Sequence, residues 1–154
     1  MISGLATTAS AEIKLGLDSS NYEPFYSRGA DGTWSGWEIE IGEAICAAMQ
    51  EECVWVPIAW DGIIPALTAK KIDLIFGSMS ITDERKQTIN FSDKYYNTPA
   101  ALIAPKNLDI KSAEDLKGKT IGVQVSSTHE NYANANFAAD SNIKIYQDFN
   151  EHNF

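Results

Sequence analysis

The sequence is poor in the features that mark several large classes of protein. Its 154 residues include only 12 Lys and Arg against 21 Asp and Glu, a formal charge of −9. Because phosphate contacts need clustered basic side chains, this balance argues against a nucleic-acid partner. No run approaches the ~20 apolar residues of a membrane-spanning helix. What remains is an ordinary globular composition, long enough for one domain or two small ones.

Signatures of enzymes and metal sites are also missing. The sequence has no GxSxG, no Walker-type phosphate loop, no GxGxxG and no HExxH. His129 and His152 stand alone, with no second ligand at metal-binding spacing. We therefore expect no metal and no cofactor, and we do not expect an enzyme.

Only two cysteines are present, Cys46 and Cys53, within and just after a helix predicted over 38–51. Seven residues of continuous helix would separate their Cα atoms by about 10.5 Å, whereas a disulfide needs about 4.4–6.8 Å. A bridge therefore requires the helix to end near Gln50 or Glu51, so that the chain doubles back into a strand. Two buried free thiols are the alternative.

Residues 1–11 end in an Ala-Ser-Ala pattern, which is typical of signal-peptidase sites. A floppy Ala-, Ser- and Thr-rich N-terminus is the alternative, because the charged start and most of the apolar segment are missing. We interpret 1–11 as a signal-peptide remnant, with the mature chain starting near Glu12. Export to an oxidising compartment would follow.

Strand and helix signals alternate along the rest of the chain. Apolar runs predict strands, and capping residues followed by helical spacing predict helices. The predicted strands are 12–18, 54–58, 72–76, 100–104, 119–123 and 143–146. The predicted helices are 38–51, 62–70 capped by Asp61, a short helix opened by the Ser80–Asp83 box, 112–118, and 127–137 opened by a Ser127–Glu130 box. This alternation indicates an α/β fold with parallel sheets.

Ligands of open α/β sheets bind at the carboxyl ends of strands, and three predicted strand ends carry polar side chains. The first, from Asp18 to Phe25, offers an acid, hydroxyls and the ring of Tyr22. The second, Gly77–Arg85, leads into a helix start that favours an anion, and its guanidinium suits a bidentate grip on a carboxylate. The third, Gln124–Glu130, is again a strand running into a helix start.

Each of these segments also has a purely structural interpretation. The first could be a polar turn with a packed Tyr22, and the third could be plain helix capping. Arg85 could form a surface salt bridge with a neighbouring carboxylate. Trp60 could sandwich a flat or cationic ligand group together with Tyr22, or it could pack in the core.

Six segments in a fixed order carry a more specific signal. They are Gly36–Cys46 (GWEIEIGEAIC), Trp60–Leu67 (WDGIIPAL), Lys71–Ile75 (KIDLI), Ser78–Arg85 (SMSITDER), Phe91–Tyr95 (FSDKY) and Leu116–Val123 (LKGKTIGV). From about Glu12 to its end, the chain resembles the bacterial periplasmic amino-acid-binding proteins of ABC importers. Within them it resembles the lysine-arginine-ornithine-, histidine-, arginine- and octopine-binding class.

The resemblance implies two α/β lobes that close on one free amino acid. Carried over by position, Arg85 would clamp the α-carboxylate of the ligand. Ser80, Ser127 and Thr128 would support that carboxylate with hydroxyls and nearby N–H groups. Ser78 would offer a hydroxyl or a carbonyl to the α-amino group.

The same resemblance implies the rest of the ligand contacts. Tyr22 and Trp60 would flank the ligand side chain, and Asp18 would pair with a distal cationic group. Cys46 and Cys53 match the paired cysteines of the basic amino-acid binders, so the resemblance favours the disulfide.

Members of this family run considerably further than 154 residues, so we expect a fragment. Lobe 1 is expected over 12–96, a hinge over 97–100 and part of lobe 2 over 101–154. The expected fold is α/β and periplasmic-binding-protein-like, with lobe 2 and the return to lobe 1 incomplete. Because the acid that holds the α-amino group in this family is missing, we expect weak ligand binding or none.

The implied function is uptake of a free polar or cationic amino acid. The ligand would be arginine, lysine, ornithine or an opine such as octopine, bound in the periplasm and delivered to the membrane permease of an ABC transporter. One alternative is the ligand-sensing module of a receptor. Another is an enzyme of the cyclohexadienyl dehydratase type, which would need a general acid such as Glu130 or Asp18 beside the carboxylate clamp.

Overall fold

The structure is a computed structural model that describes residues 12–152, apart from the side chains of Phe149 and His152. The predicted signal-peptide remnant, residues 1–11, lies outside the described residues. Among the described helices, none has the length and apolar character needed to cross a bilayer.

Strands and helices alternate as the sequence predicts. The strands are β1 (Ile13–Asp18), β2 (Ser27–Arg28), β3 (Trp34–Ser35), β4 (Cys53–Ile58), β5 (Leu74–Ile75), β6 (Thr120–Gln124) and β7 (Asn142–Tyr146). The α-helices are α1 (Trp37–Met49), α2 (Ile63–Thr68), α3 (Asp83–Lys86) and α4 (Thr128–Asn136). Short 3-10 helices cover Trp60–Gly62, Ala113–Leu116 and Phe149–His152.

The first sheet has the order β4-β1-β5, and both of its strand pairs are parallel. The central strand β1 is covered on both faces, so residues 15–18 are buried without alternation. On one face, Leu17 packs with Ile39 of α1. On the other, Ile63 and Ile72 pack with residues of β4 and β5. Asp18, the polar last residue of β1, therefore lies at the carboxyl edge of a parallel sheet that is covered on both faces.

The first sheet is tied to α1 by the disulfide. The helix ends at Gln50, whose φ of 58° is left-handed, and the N–H of Glu51 donates to the carbonyl of Cys46. The chain then reverses into β4, which brings the Cα atoms of Cys46 and Cys53 to 6.2 Å. The predicted helix end and the Cys46–Cys53 bridge are both confirmed, and the free-thiol alternative is wrong.

Two smaller sheets complete the fold. Strands β2 and β3 form an antiparallel pair on either side of a turn, in which the N–H of Gly32 donates to the carbonyl of Gly29. Strands β6 and β7 are parallel. One face of β6 is buried, with Ile121 and Val123 packed against Ala133 of α4. This second parallel pair places another strand end, that of β6, beside a helix start.

Two strand predictions need correction. No strand forms over 100–104, where Leu102 and Ile103 are 52% and 88% exposed. An apolar run becomes a strand only when another strand pairs with it, and no described strand does so here. The strand predicted over 72–76 shortens to β5, because only Leu74 and Ile75 have register partners on β1.

Two predicted helix caps are also wrong. Asp61 lies inside the 3-10 helix 60–62, and its side chain caps nothing. The residue that caps α3 is Thr82 instead of the predicted Ser80. The Thr82 hydroxyl accepts from the N–H of Arg85 at 3.2 Å. Thr82 has the extended backbone that an N-cap requires, whereas α2 follows Gly62, whose backbone is already helical. The boxes at Ser112 and Ser127 cap as predicted.

Candidate functional site

The carboxyl ends of β1, β5 and β6 meet at one cleft. All eight residues that the sequence singled out as ligand contacts line this cleft, so the structure brings the predicted set together. Their role as ligand contacts stays a prediction. The lining residues are Asp18, Tyr22, Tyr26, Trp60, Gly77, Ser78, Ser80, Arg85, Gln124, Ser127, Thr128 and His129.

Arg85 brings a positive charge into the cleft from α3. Its guanidinium donates to the carbonyl oxygen of Ser80 at 2.9 Å and to that of Ser126 at 3.0 Å. Desolvation by burial lowers the pKa of Arg85, and nearby Glu84 opposes that shift, but a guanidinium stays charged in proteins. Among the described residues, the ion pairs join other side chains, so the surface salt bridge considered for Arg85 is wrong. Among the described residues, the hydrogen-bond acceptors of Arg85 are thus neutral carbonyl oxygens.

Asp18 brings a negative charge to the same cleft from the end of β1. The side chain is buried, and its Oδ1 accepts from the N–H of Ser20 at 3.1 Å and the hydroxyl of Ser20 at 2.9 Å. Its Oδ2 accepts from the amide of Gln124 at 2.7 Å. Within the described part of the chain, no basic side chain forms an ion pair with it. Hydrogen bonds thus hold a carboxylate that lacks a cationic partner.

Two aromatic residues line the cleft as predicted, but each also makes internal contacts. The indole N–H of Trp60 donates to the carbonyl of Ser126 at 3.3 Å, and the Arg85 guanidinium carbon lies 5.7 Å from the indole centroid. Tyr22 stacks on Phe25 with ring centroids 5.1 Å apart. Burial and the charge of Glu38 raise the pKa of Tyr22. Each of these two side chains therefore packs against other residues and also lines the cleft.

The start of α4 forms one wall of the cleft. Ser127 is buried, its hydroxyl donates to the carbonyl of Gln124 at 2.7 Å, and it accepts from the N–H of Glu130 at 3.1 Å. That hydroxyl is therefore occupied by capping, whereas the half-buried Thr128 lines the cleft as the first residue of α4. Ser126, just before the cap, has a φ of 57°, uncommon for a residue with a side chain.

Ser78 is hydrogen-bonded to a buried acid, Glu38. Its N–H and its hydroxyl donate to Oε1 of Glu38 at 2.8 and 2.9 Å, and the hydroxyl of Tyr95 donates to the same oxygen. Glu38 is fully buried. Burial and the hydrogen bond to Glu38 raise the pKa of Tyr95. Ser78, which lines the cleft, has a φ of 49°, a left-handed backbone conformation that is uncommon for a residue with a side chain.

Sequence reasoning missed several residues of this site. Tyr26 lines the cleft although it is 2% exposed, and burial together with the charges of Asp18 and Glu38 raises its pKa. Gln124 and His129 fall inside the third polar segment, so their position was the available signal. Glu38 gave almost no signal, because it is one of three acids on α1 and the sequence does not show which of them is buried. Among the described residues, no group of three or more His, Cys, Asp or Glu could hold a metal ion.

Comparison with known sequences matches residues 13–151 to the family described as bacterial extracellular solute-binding proteins, family 3. The L-arginine-binding protein of Pseudomonas aeruginosa is 42% identical over 128 residues, covering 82% of this chain and 49% of that protein. The lysine/arginine/ornithine-binding periplasmic protein of Escherichia coli is 45% identical over 141 residues, covering 87% and 54%. The chain thus spans about half the length of the curated relatives it matches.

A solved structure is also similar to this chain. An ancestral arginine-binding protein bound to arginine superimposes with a TM-score of 0.86 at 36% identity. The match covers 92% of this chain and 63% of that one. The predicted α/β fold class is confirmed by this similarity together with the parallel sheets.

Proposed function

Since this chain belongs to the bacterial extracellular solute-binding proteins of family 3, we propose that it binds a free cationic amino acid, arginine foremost. The observation that carries this proposal is a pair of unmatched charges in one cleft. Arg85 has no carboxylate partner among the described residues, Asp18 has no cation, and both line the same cleft. A ligand with a carboxylate at one end and a cation at the other would match both.

The ligand carboxylate would bind Arg85. A guanidinium has five N–H donors, and two of its bonds now go to the carbonyls of Ser80 and Ser126. A carboxylate would give the three remaining donors a charged acceptor that can bind in bidentate fashion. The N–H groups at the start of α4, beside Thr128, add positive potential at the same end of the cleft.

The side chain of the ligand would extend towards Asp18 between aromatic faces. Trp60 and Tyr22 offer flat surfaces on which a guanidinium can stack. Asp18 would then accept from its distal N–H groups, with Gln124 and Ser20 keeping the carboxylate in place. Lysine and ornithine would make the same pairing with fewer donors, and opines such as octopine would share the distal group.

Binding rather than catalysis is the activity we propose for the whole protein. The relatives named above are binding proteins, and one is periplasmic. By analogy, this protein would work in the periplasm and pass its ligand to the permease of an ABC transporter. Residues 12–96 and 101–154 would belong to two lobes joined by a hinge at 97–100.

The affinities of three ligands for the unmodified chain and for two variants test the proposal. L-Arginine, agmatine (which lacks the carboxylate) and citrulline (which lacks the cation) are titrated into the 154-residue chain by calorimetry. A charge-assisted hydrogen bond contributes about 1.5–3 kcal/mol, roughly a 10- to 150-fold change in Kd. Arg85→Gln should therefore remove the preference for arginine over agmatine only. Asp18→Asn should remove the preference for arginine over citrulline only.

Lys86→Gln is the matched control for Arg85→Gln. Lys86 lies on the same short helix and pairs only with Asp83 at the surface, at 3.5 Å. Removing its charge should leave both preferences unchanged. Because weak binding is expected of these 154 residues, the titrations extend to millimolar ligand concentrations. Equal loss of binding for all three ligands in Arg85→Gln would contradict the proposal. The absence of saturable heat with any of the three ligands in the unmodified chain would contradict it as well.

A further inference from the structure

A buried carboxyl group lies directly beneath the cleft, and packing gives no reason for it. Glu38 is fully buried near the start of α1. Its Oε2 is buried and has no hydrogen-bond partner among the described residues. No basic side chain in the described part of the chain pairs with it. Burying such a group is costly, and the positive end of the helix offsets only part of that cost.

The three hydrogen bonds to the Glu38 carboxyl group all reach one oxygen, and two of them come from Ser78, which lines the cleft. Ser78 supplies two of them, from its N–H and its hydroxyl. Tyr95 supplies the third, and its own hydroxyl oxygen accepts from the N–H of Ser78 at 3.2 Å. The high pKa of Tyr95 keeps that phenol protonated and donating. Glu38 thus governs the orientation of Ser78.

This arrangement fixes what Ser78 can offer to the cleft. A serine hydroxyl has a single proton, and here that proton is donated to Glu38. The remaining lone pairs of its oxygen can only accept. The carbonyl oxygen of Ser78 also accepts no hydrogen bond from the described residues. Every unused polar atom of Ser78 at this cleft is therefore an acceptor.

We propose that Glu38 is a positioning residue that makes Ser78 an acceptor-only group and so selects a protonated α-amine on the ligand. The inference rests on the proposed function, in which an amino acid occupies this cleft. An ammonium group only donates, so it matches Ser78. Its charge also supplies the positive partner that Glu38 lacks. A ligand without that donor would leave the acceptors of Ser78 unpaired.

A purely structural role for Glu38 makes a different prediction. If Glu38 only held the 77–80 turn in place, its loss would weaken every ligand by the same factor. Selection of the amine instead changes the ratio between two ligands that differ only in that amine. L-Arginine and 5-guanidinopentanoic acid are such a pair, since the second lacks only the α-amino group.

Both ligands are titrated by calorimetry into the 154-residue chain and its variants. The unmodified chain should bind L-arginine about tenfold more tightly or better. Glu38→Gln keeps the size but removes the charge, and its amide NH2 can donate to the hydroxyl of Ser78, so the ratio should fall at least about threefold. Ser78→Ala should reduce the ratio similarly. In the double variant, the ratio should not fall below the lower of the two single-variant ratios, because both changes act through one hydroxyl. Glu40→Gln, an exposed acid on the same helix, should leave the ratio unchanged.

The outcomes separate this inference from the proposed function. If Glu38→Gln and Ser78→Ala weaken both ligands equally, the inference is wrong and the proposed function stands. If the unmodified chain binds neither ligand, both are wrong. Circular dichroism checks folding of each variant. Should Glu38→Gln fail to fold, an unchanged ratio in Ser78→Ala would by itself overturn the inference.

Discussion

Reduction of the Cys46–Cys53 bridge should lower stability by an amount that follows from the loop it closes. The two cysteines are seven positions apart. In the chain-entropy model, closing so short a loop removes unfolded-state entropy worth about 2.5 kcal/mol at 25 °C. For a protein whose total stability is about 5–15 kcal/mol, that loss is a large fraction. The oxidised chain should therefore unfold at clearly higher denaturant concentration.

Urea unfolding with and without a reducing agent measures this loss. With a urea m-value of about 1–3 kcal/mol/M, the midpoint should fall by roughly 0.8–2.5 M, and the slope should change little. The Cys46→Ala/Cys53→Ala variant serves as a check, because a reducing agent should not shift its midpoint. A loss on reduction below about 1 kcal/mol would refute the loop-entropy argument.

The same experiment separates stability from binding. Cys46 lies eight residues after Glu38 on α1, about 12 Å along the helix axis. The bridge therefore joins the far end of α1 to β4, away from the cleft. Under conditions where the reduced chain stays folded, its preference between L-arginine and 5-guanidinopentanoic acid should be unchanged. A changed preference would show that the bridge also sets the position of Glu38.

Two further predictions concern packing and pH. Gly42→Ala should destabilise the fold by up to about 2 kcal/mol in urea unfolding, because the added Cβ would lie 2.6 Å from Cη2 of Trp55. Overpacking costs about 1–3 kcal/mol, against a helix-propensity gain of about 1 kcal/mol. A more stable variant would contradict this prediction. Burial raises the pKa values of Tyr22, Tyr26 and Tyr95. At alkaline pH the folded chain therefore keeps phenol protons that the unfolded chain releases. The stability that these groups contribute is complete below pH ~10 and falls above it. Tyr95→Phe should flatten that alkaline decline in urea unfolding measured from pH 8 to 11, and an equally steep decline in the variant would contradict the assignment.

Much of the local structure follows from short-range signals in the sequence. The Ser127–Glu130 box caps α4, and the apolar alternation of residues 12–18 becomes β1. These features depend on contacts within a few residues, which a sequence displays directly. The end of α1 is similar, since the cysteine spacing itself restricts where a bridged helix can stop.

Features that depend on distant partners could not be predicted in the same way. Residues 100–104 are as apolar as a strand, but strand formation depends on a partner that the sequence does not specify. Of the site residues, Arg85 and Asp18 stand out by charge at strand ends. Glu38 looks like one more acid on an amphipathic helix, and its role depends on the turn that β5 places above it.

The carbonyl oxygen of Ser126 links two side chains of the cleft. It accepts from both Arg85 and Trp60, and the carbonyl oxygen of Ser80 also accepts from Arg85. Fixing the rotamers of a free arginine side chain costs up to about 2 kcal/mol. Because these two bonds already restrict the guanidinium, a carboxylate bound to its remaining donors would have to fix little more of the side chain. On the proposed function, Arg85 is therefore preorganised for its ligand.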